Sequence, residues 1–182
     1  NVSGIILESE GTGAWRSVAV ETAPRLSGVY IPAEGSPLAV GNSGALFQRR
    51  SGAWREVARA PRTQLDFHAV WVDPTGAVWA VGGDMALHWN GTTWQRRATG
   101  IQPGSDLYAV WAAAADNVYA VGQRVYRWDG SMWAPIELPG TAYYFGVSGT
   151  GPNDVWIVGN SAARHWNGTE WQRVLTGTTE PL

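Results

Sequence analysis

Apolar residues in this chain come in short runs broken by turn residues, and no run keeps the 3.6-residue period of a helix. Between residues 105 and 141 the runs read LYAVW, NVYAVG, RVYRW and MWAPIEL, with AAAAD after the first and Asp129-Gly130 before the last. Segments of this length, rich in Val, Trp and Tyr, read as strands, because branched and aromatic side chains pack well on a half-buried pleated surface. The intervening N-G-T and D-G-S triplets favour tight hairpins, since Asn, Asp and Gly tolerate positive φ. The pattern predicts four strands in about 40 residues and no helix.

The same pattern recurs along the chain. Trp15, Trp54, Trp94, Trp133 and Trp171 are spaced by 39, 40, 39 and 38 residues, in the contexts GTGAW, RSGAW, NGTTW, DGSMW and NGTEW. Upstream of the last four lies AVG or IVG, ending at Gly41, Gly82, Gly122 and Gly159. Each full copy opens with a related strand: LSGVY at Leu26, FHAVW at Phe67, LYAVW at Leu107 and YFGVS at Tyr144. Four short strands per repeat of this length are the signature of propeller blades. Gly28, Ala69, Ala109 and Gly146 share one position of the opening strand. Small residues belong there if that strand lies nearest the axis, where blades crowd.

The expected fold is therefore an all-β propeller forming a single domain over 1–182. It divides into a half-blade at 1–24 and four full blades at 25–64, 65–104, 105–141 and 142–182. Residues 1–4 align with Gly41-Asn42-Ser43-Gly44, so the N-terminal copy starts just past the AVG strand and lacks two inner strands. The tail beyond Val174 is too short to supply them. The ring is five-bladed if two strands are added, or else the chain is part of a larger array. The strands would come from a longer parent chain or from another copy; a four-bladed ring with the hairpin placed elsewhere is the third option.

Composition narrows the function classes. Net charge is −2, Lys is absent and no Arg run exceeds two residues, so no basic face for nucleic acid is expected. No apolar run approaches the roughly 18 residues of a membrane span, so no membrane insertion is expected. The absence of Cys removes disulfides and thiolate metal sites. His88 and His165 share a repeat position that Gln48 and Arg127 fill in other blades, and His68 lies elsewhere. Equivalent positions in different blades are dispersed around a ring, which is not how metal ligands converge. No D-x-D-x-D-G loop, G-x-S-x-G elbow or glycine-rich phosphate loop is present. The expectation is a chain that is not an enzyme and needs no cofactor.

Two sets of residues remain as candidate sites. Trp89, Trp128 and Trp166 share one repeat position, where Arg49 stands in the first full blade. Such aromatics are either packing between blades or, if exposed, platforms for sugar rings. Asn1, Asn90 and Asn167 head N-x-[ST] glycosylation sequons, although Asp129 fills the same turn as the last two without forming one.

The consensus L-x-x-V-W … D-V-W-x-V-G … W-N-G-x-x-W resembles the repeats of bacterial extracellular β-propeller proteins. Asn153 to Gly159 and His165 to Trp171 carry the resemblance best. A looser similarity links the chain to tectonin-like and tachylectin-like propellers. The resemblance implies an extracellular or cell-surface setting. It fits a structural or assembly module, such as a surface-protein propeller or a fibre subunit completed by a neighbour's strands. The alternative is a lectin-like propeller binding glycans at several weak sites.

Overall fold

The computed structural model describes residues 4–9, 11, 13–20, 24–32, 35–59, 66–140, 143–160 and 162–174. Among them the chain forms one hairpin and four antiparallel four-stranded sheets, each a simple meander in sequence order. The hairpin is β1 (Gly4–Ser9) and β2 (Trp15–Val20). The first full blade is β3 (Leu26–Tyr30), β4 (Leu38–Gly41), β5 (Ala45–Arg50) and β6 (Ala53–Arg59). The second is β7 (Ala69–Val72), β8 (Val78–Gly82), β9 (Met85–Trp89) and β10 (Trp94–Arg96). The third is β11 (Ala109–Ala114), β12 (Asn117–Val121), β13 (Val125–Trp128) and β14 (Trp133–Ile136). The fourth is β15 (Tyr144–Gly151), β16 (Asp154–Gly159), β17 (Ala163–Trp166) and β18 (Trp171–Val174). The all-β, four-stranded repeat read from the sequence is what the chain forms.

The repeated AVG motif has a specific backbone role. A Cβ on Gly82 would lie 2.0 Å from the Asp66 carbonyl oxygen, and one on Gly122 would lie 2.0 Å from that of Asp106. Only glycine lets the end of each second strand close on the backbone that enters the same blade. The adjacent residues use that approach: Asn42 N donates to Arg25 O at 2.9 Å, and Gln123 N donates to Ser105 O at 2.9 Å. The motif also links neighbouring blades. Phe67 N donates to Gly41 O at 3.3 Å, and Tyr144 N donates to Gly122 O at 2.9 Å. With Leu107 N donating to Gly83 O at 2.8 Å, the entry to each of the last three blades is thus tied to the preceding sheet.

Successive opening strands pack side by side. A Cβ on Gly28 would lie 3.0 Å from His68 O and 3.2 Å from Ala69 Cα, so the small residue there permits the contact between β3 and β7. The core is a series of apolar layers between blades. Its largest layer joins Trp79, Val81 and Ala86 of the second blade to Val110, Tyr126 and Trp133 of the third. Strand alternation sorts the residues. Val40, Val81 and Val121 face the following blade, while Phe47, Leu87 and Tyr126 face the preceding one.

Candidate functional site

The irregular part of the structure is the half-blade. β1 pairs only with β2 among the described residues, so its inner edge carries backbone groups with no strand partner. In the full blades the equivalent strands β5, β9, β13 and β17 are paired on both sides. Beside that edge is a cleft of about 590 Å³, mostly apolar, between the hairpin and the first full blade. Ile5, Leu7 and Trp15 line it from the hairpin, and Leu26, Val29 and Ile31 from the blade. Val29 lies on the wall of this cleft. It is 59% exposed, whereas its repeat equivalents Val70 and Val110 are 6% and 5% exposed under the preceding blade's inner strands.

Glu8 closes the outer wall of this cleft. Its Oε1 accepts from Arg49 Nε at 2.7 Å and from Trp54 Nε1 at 2.8 Å, and its Oε2 accepts from Arg16 at 2.8 Å. The Arg49 hydrogen bond is the main influence holding the Glu8 carboxyl below its ordinary value. Burial opposes it, while Trp54, the Arg49 charge and Arg16 add to the lowering. Arg49 replaces the repeat's aromatic residue at the one place where the preceding unit offers a carboxylate. The pairing joins residues 41 positions apart, and the only sequence hint was the exceptional arginine itself.

The candidate aromatics are distributed among different blades. Trp128 is buried against Trp79 and Trp133, with ring centroids at 5.6 and 5.7 Å. Trp89 is half-buried beside Trp94 at 5.6 Å, and Trp166 is half-buried beside Trp171 at 5.8 Å. Trp166 Nε1 also donates to Pro152 O at 3.1 Å. The structure brings no two of the three together. Asn90 and Asn167 head exposed turns, where each side-chain oxygen accepts two backbone N–H bonds, from Thr92 and Thr93 and from Thr169 and Glu170. Asn1 lies outside the described residues.

The histidines also lie apart, and among the described residues no three His, Asp or Glu side chains group as metal ligands would. His68 Nδ1 lies 3.0 Å from Leu107 O, and its ring stacks on Tyr108 at 5.5 Å. His88 packs against Trp79, and burial lowers its pKa. His165 Nε2 lies 2.7 Å from Asp154 Oδ1, and its ring stacks on Trp156 at 4.2 Å. Trp156 Nε1 donates to the same Asp154 oxygen at 3.0 Å. This exposed cluster on the last blade was not foreseen, because Asp154, Trp156 and His165 meet only through the β16–β17 pairing.

No family model and no curated protein matches the chain by sequence. Solved structures do match it in shape. A catalytically inactive variant of virginiamycin B lyase from Staphylococcus aureus, solved with quinupristin, superposes with a TM-score of 0.79 at 11% identity, over 97% of this chain and 70% of that one. The WD40 β-propeller domain of Doa1 gives 0.71 at 9% identity, over 90% and 58%. The chain has the β-propeller fold. YCF48 bound to D1 peptide gives 0.67 at 17% identity, over 94% of this propeller and 60% of that chain. The propeller thus spans between 58% and 70% of the length of these three structures.

These similarities correct one expectation. The absence of nucleophile, metal and phosphate motifs pointed away from an enzyme, yet virginiamycin B lyase is an enzyme on this fold. The inference failed for a physical reason. A propeller can assemble a site from single residues on separate blades, which leaves no contiguous motif to read. Fold and repeat therefore place the chain in an architecture that includes catalysts.

Proposed function

We propose that this propeller is a protein-binding module that takes an extended polypeptide segment as an added strand along β1. The observation that carries this reading is the exposure of Val29, whose equivalents in the next two blades are covered. A strand laid against β1 would meet unpaired backbone groups on one side and the apolar surface of Val29 and Ile31 beneath. Strand addition of this kind draws affinity from main-chain hydrogen bonds and specificity from alternating side-chain pockets. YCF48, a propeller of similar shape, is known in a peptide-bound form, which supports peptide binding on this architecture. An extracellular setting belongs to the proposal through the repeat resemblance.

The best-matched occupant has the chemistry of the repeat's own second strand. That strand alternates a bulky residue with small and branched ones, as in Asn117–Gly122, and pairs with the third strand in every full blade. Titration calorimetry with a synthetic peptide of residues 117–122 tests the reading. Saturable binding that Val29→Glu weakens by about tenfold or more supports it, since a buried charge without a partner is costly. Absence of binding, or binding that ignores Val29→Glu, contradicts it.

A further inference from the structure

The outer spaces between full blades are filled from the same repeat positions but by different residues. Between the second and third blades, Trp79 meets Trp128 at 5.6 Å and Trp133 edge to face at 5.7 Å. The Arg97 guanidinium lies 5.9 Å from the centre of the Trp128 ring. Trp128 is left 3% exposed. Between the third and fourth blades, the smaller Tyr119 stands in the place of Trp79, and Ile136 in the place of Arg97. Trp166 and Trp171, the equivalents of Trp128 and Trp133, are only half-buried there. A cleft of about 460 Å³ opens beside them.

The polar groups on the wall of this cleft are unpaired and weighted toward donors. Tyr119 is 2% exposed, yet its hydroxyl makes no hydrogen bond among the described residues. Asn117 is 7% exposed. Its Oδ1 accepts from Arg127 Nε at 2.9 Å, which leaves its amide N–H groups without a partner. Arg127 makes no ion pair among the described residues, and no acidic residue lines the cleft. Trp166 commits its Nε1 to Pro152 O at 3.1 Å, so what it offers a ligand is its ring. Buried polar groups are costly when unpaired, so the site is suited to acceptor oxygens brought from outside.

We infer that this cleft binds a sugar ring bearing a carboxylate, the uronic acid residue of an acidic polysaccharide. The charge calls for an anion. Arg127 has its two terminal nitrogens left for the planar fork that matches a carboxylate. The Asn117 amide and the Tyr119 hydroxyl add donors beside it. The indoles of Trp166 and Trp171 call for an apolar face, which the C–H groups of a pyranose present. Asn153 is exposed at the rim and Trp166 is half-buried, so one side of the ligand stays in water. That suits a hydroxylated ring and not a wholly apolar acid. The cleft lies between the third and fourth full blades, away from β1, so the inference stands or falls separately from strand binding there.

NMR of the isotope-labelled protein with methyl β-D-glucuronide tests the inference, read at the indole N–H signals of Trp166 and Trp171. Both signals should shift saturably, with a dissociation constant on the order of 1 mM. Methyl β-D-glucoside, in which a hydroxymethyl group replaces the carboxylate, should bind about tenfold more weakly. Arg127→Gln should weaken glucuronide binding by about tenfold and leave the glucoside unaffected. Asn117→Ala should weaken it too, and the variant should fold, since Ala77 holds that position in the second blade. Cyclohexanecarboxylate, which keeps the charge and loses the hydroxyls, should bind more weakly than the glucuronide. Four results overturn the inference: no shift of the indole signals, equal affinity for the glucoside, equal affinity for cyclohexanecarboxylate, or glucuronide binding indifferent to Arg127→Gln. Val29→Glu should leave glucuronide binding intact, and Arg127→Gln should leave peptide binding at β1 intact.

Discussion

Glu8 and Arg49 form a 2.7 Å ion pair across the boundary between the hairpin and the first full blade. The carboxylate belongs to a unit with two strands among the described residues, and the arginine stands where later blades carry tryptophan. With Trp54 donating to the same oxygen, this polar contact does at the half-blade what aromatic contacts do between the other blades.

Acid should therefore loosen the hairpin first. Glu8 has a folded pKa below its ordinary value of 4.5, so its stabilisation is fully present above that value and is lost as pH falls through the lowered one. Hydrogen exchange of β1 and β2 should accelerate below pH 4.5 while β12 stays protected. Glu8→Gln should remove this pH dependence and destabilise the hairpin by about 1 kcal/mol at neutral pH. Equal acceleration in both regions would contradict the assignment.

The AVG glycines should tolerate no side chain. Gly82→Ala places a Cβ against the Asp66 carbonyl, which cannot move without disturbing the entry to the blade. A loss of about 1–3 kcal/mol is expected by urea denaturation. Gly151→Ala, where a Cβ meets nothing within 4 Å, should cost much less.

The equivalent tryptophans should behave differently according to what covers them. Trp133→Ala should cost about 3–5 kcal/mol, because the residue is fully buried against Trp79 and Trp128. Trp15→Ser should leave monomer stability nearly unchanged, since Trp15 is exposed. Thermal denaturation of the two variants at low protein concentration checks the contrast.

Asp129 should titrate low. Asp129 accepts from the backbone of Met132 and from the side chain and backbone of Ser131, which pushes its pKa down to about 2. NMR titration should find it ionised well below the ordinary 3.8. Ser131→Ala removes one of these bonds and should raise the value.

The repeat was legible because it is local. Trp spacing, the AVG glycines and the small residues at Gly28 and Ala69 each reflect packing that recurs every blade, so one sequence shows it several times. Glu8–Arg49 and the Asp154–Trp156–His165 cluster were not legible, because each occurs once and depends on strands meeting in space. Trp89, Trp128 and Trp166 share a repeat position but differ in burial, since what covers each depends on the neighbouring blade. The wrong expectation about catalysis has the same root, for contiguous motifs say little about a fold that gathers residues from separate sheets.

Hydrogen–deuterium exchange over Gly4–Ser9, with and without a saturating peptide of residues 117–122, is the most direct test of strand binding at the half-blade. Added-strand binding predicts that amides on the free edge of β1 become protected, while those of β17, already paired on both sides, do not change. Unchanged exchange in β1, or protection confined to another blade, would contradict it.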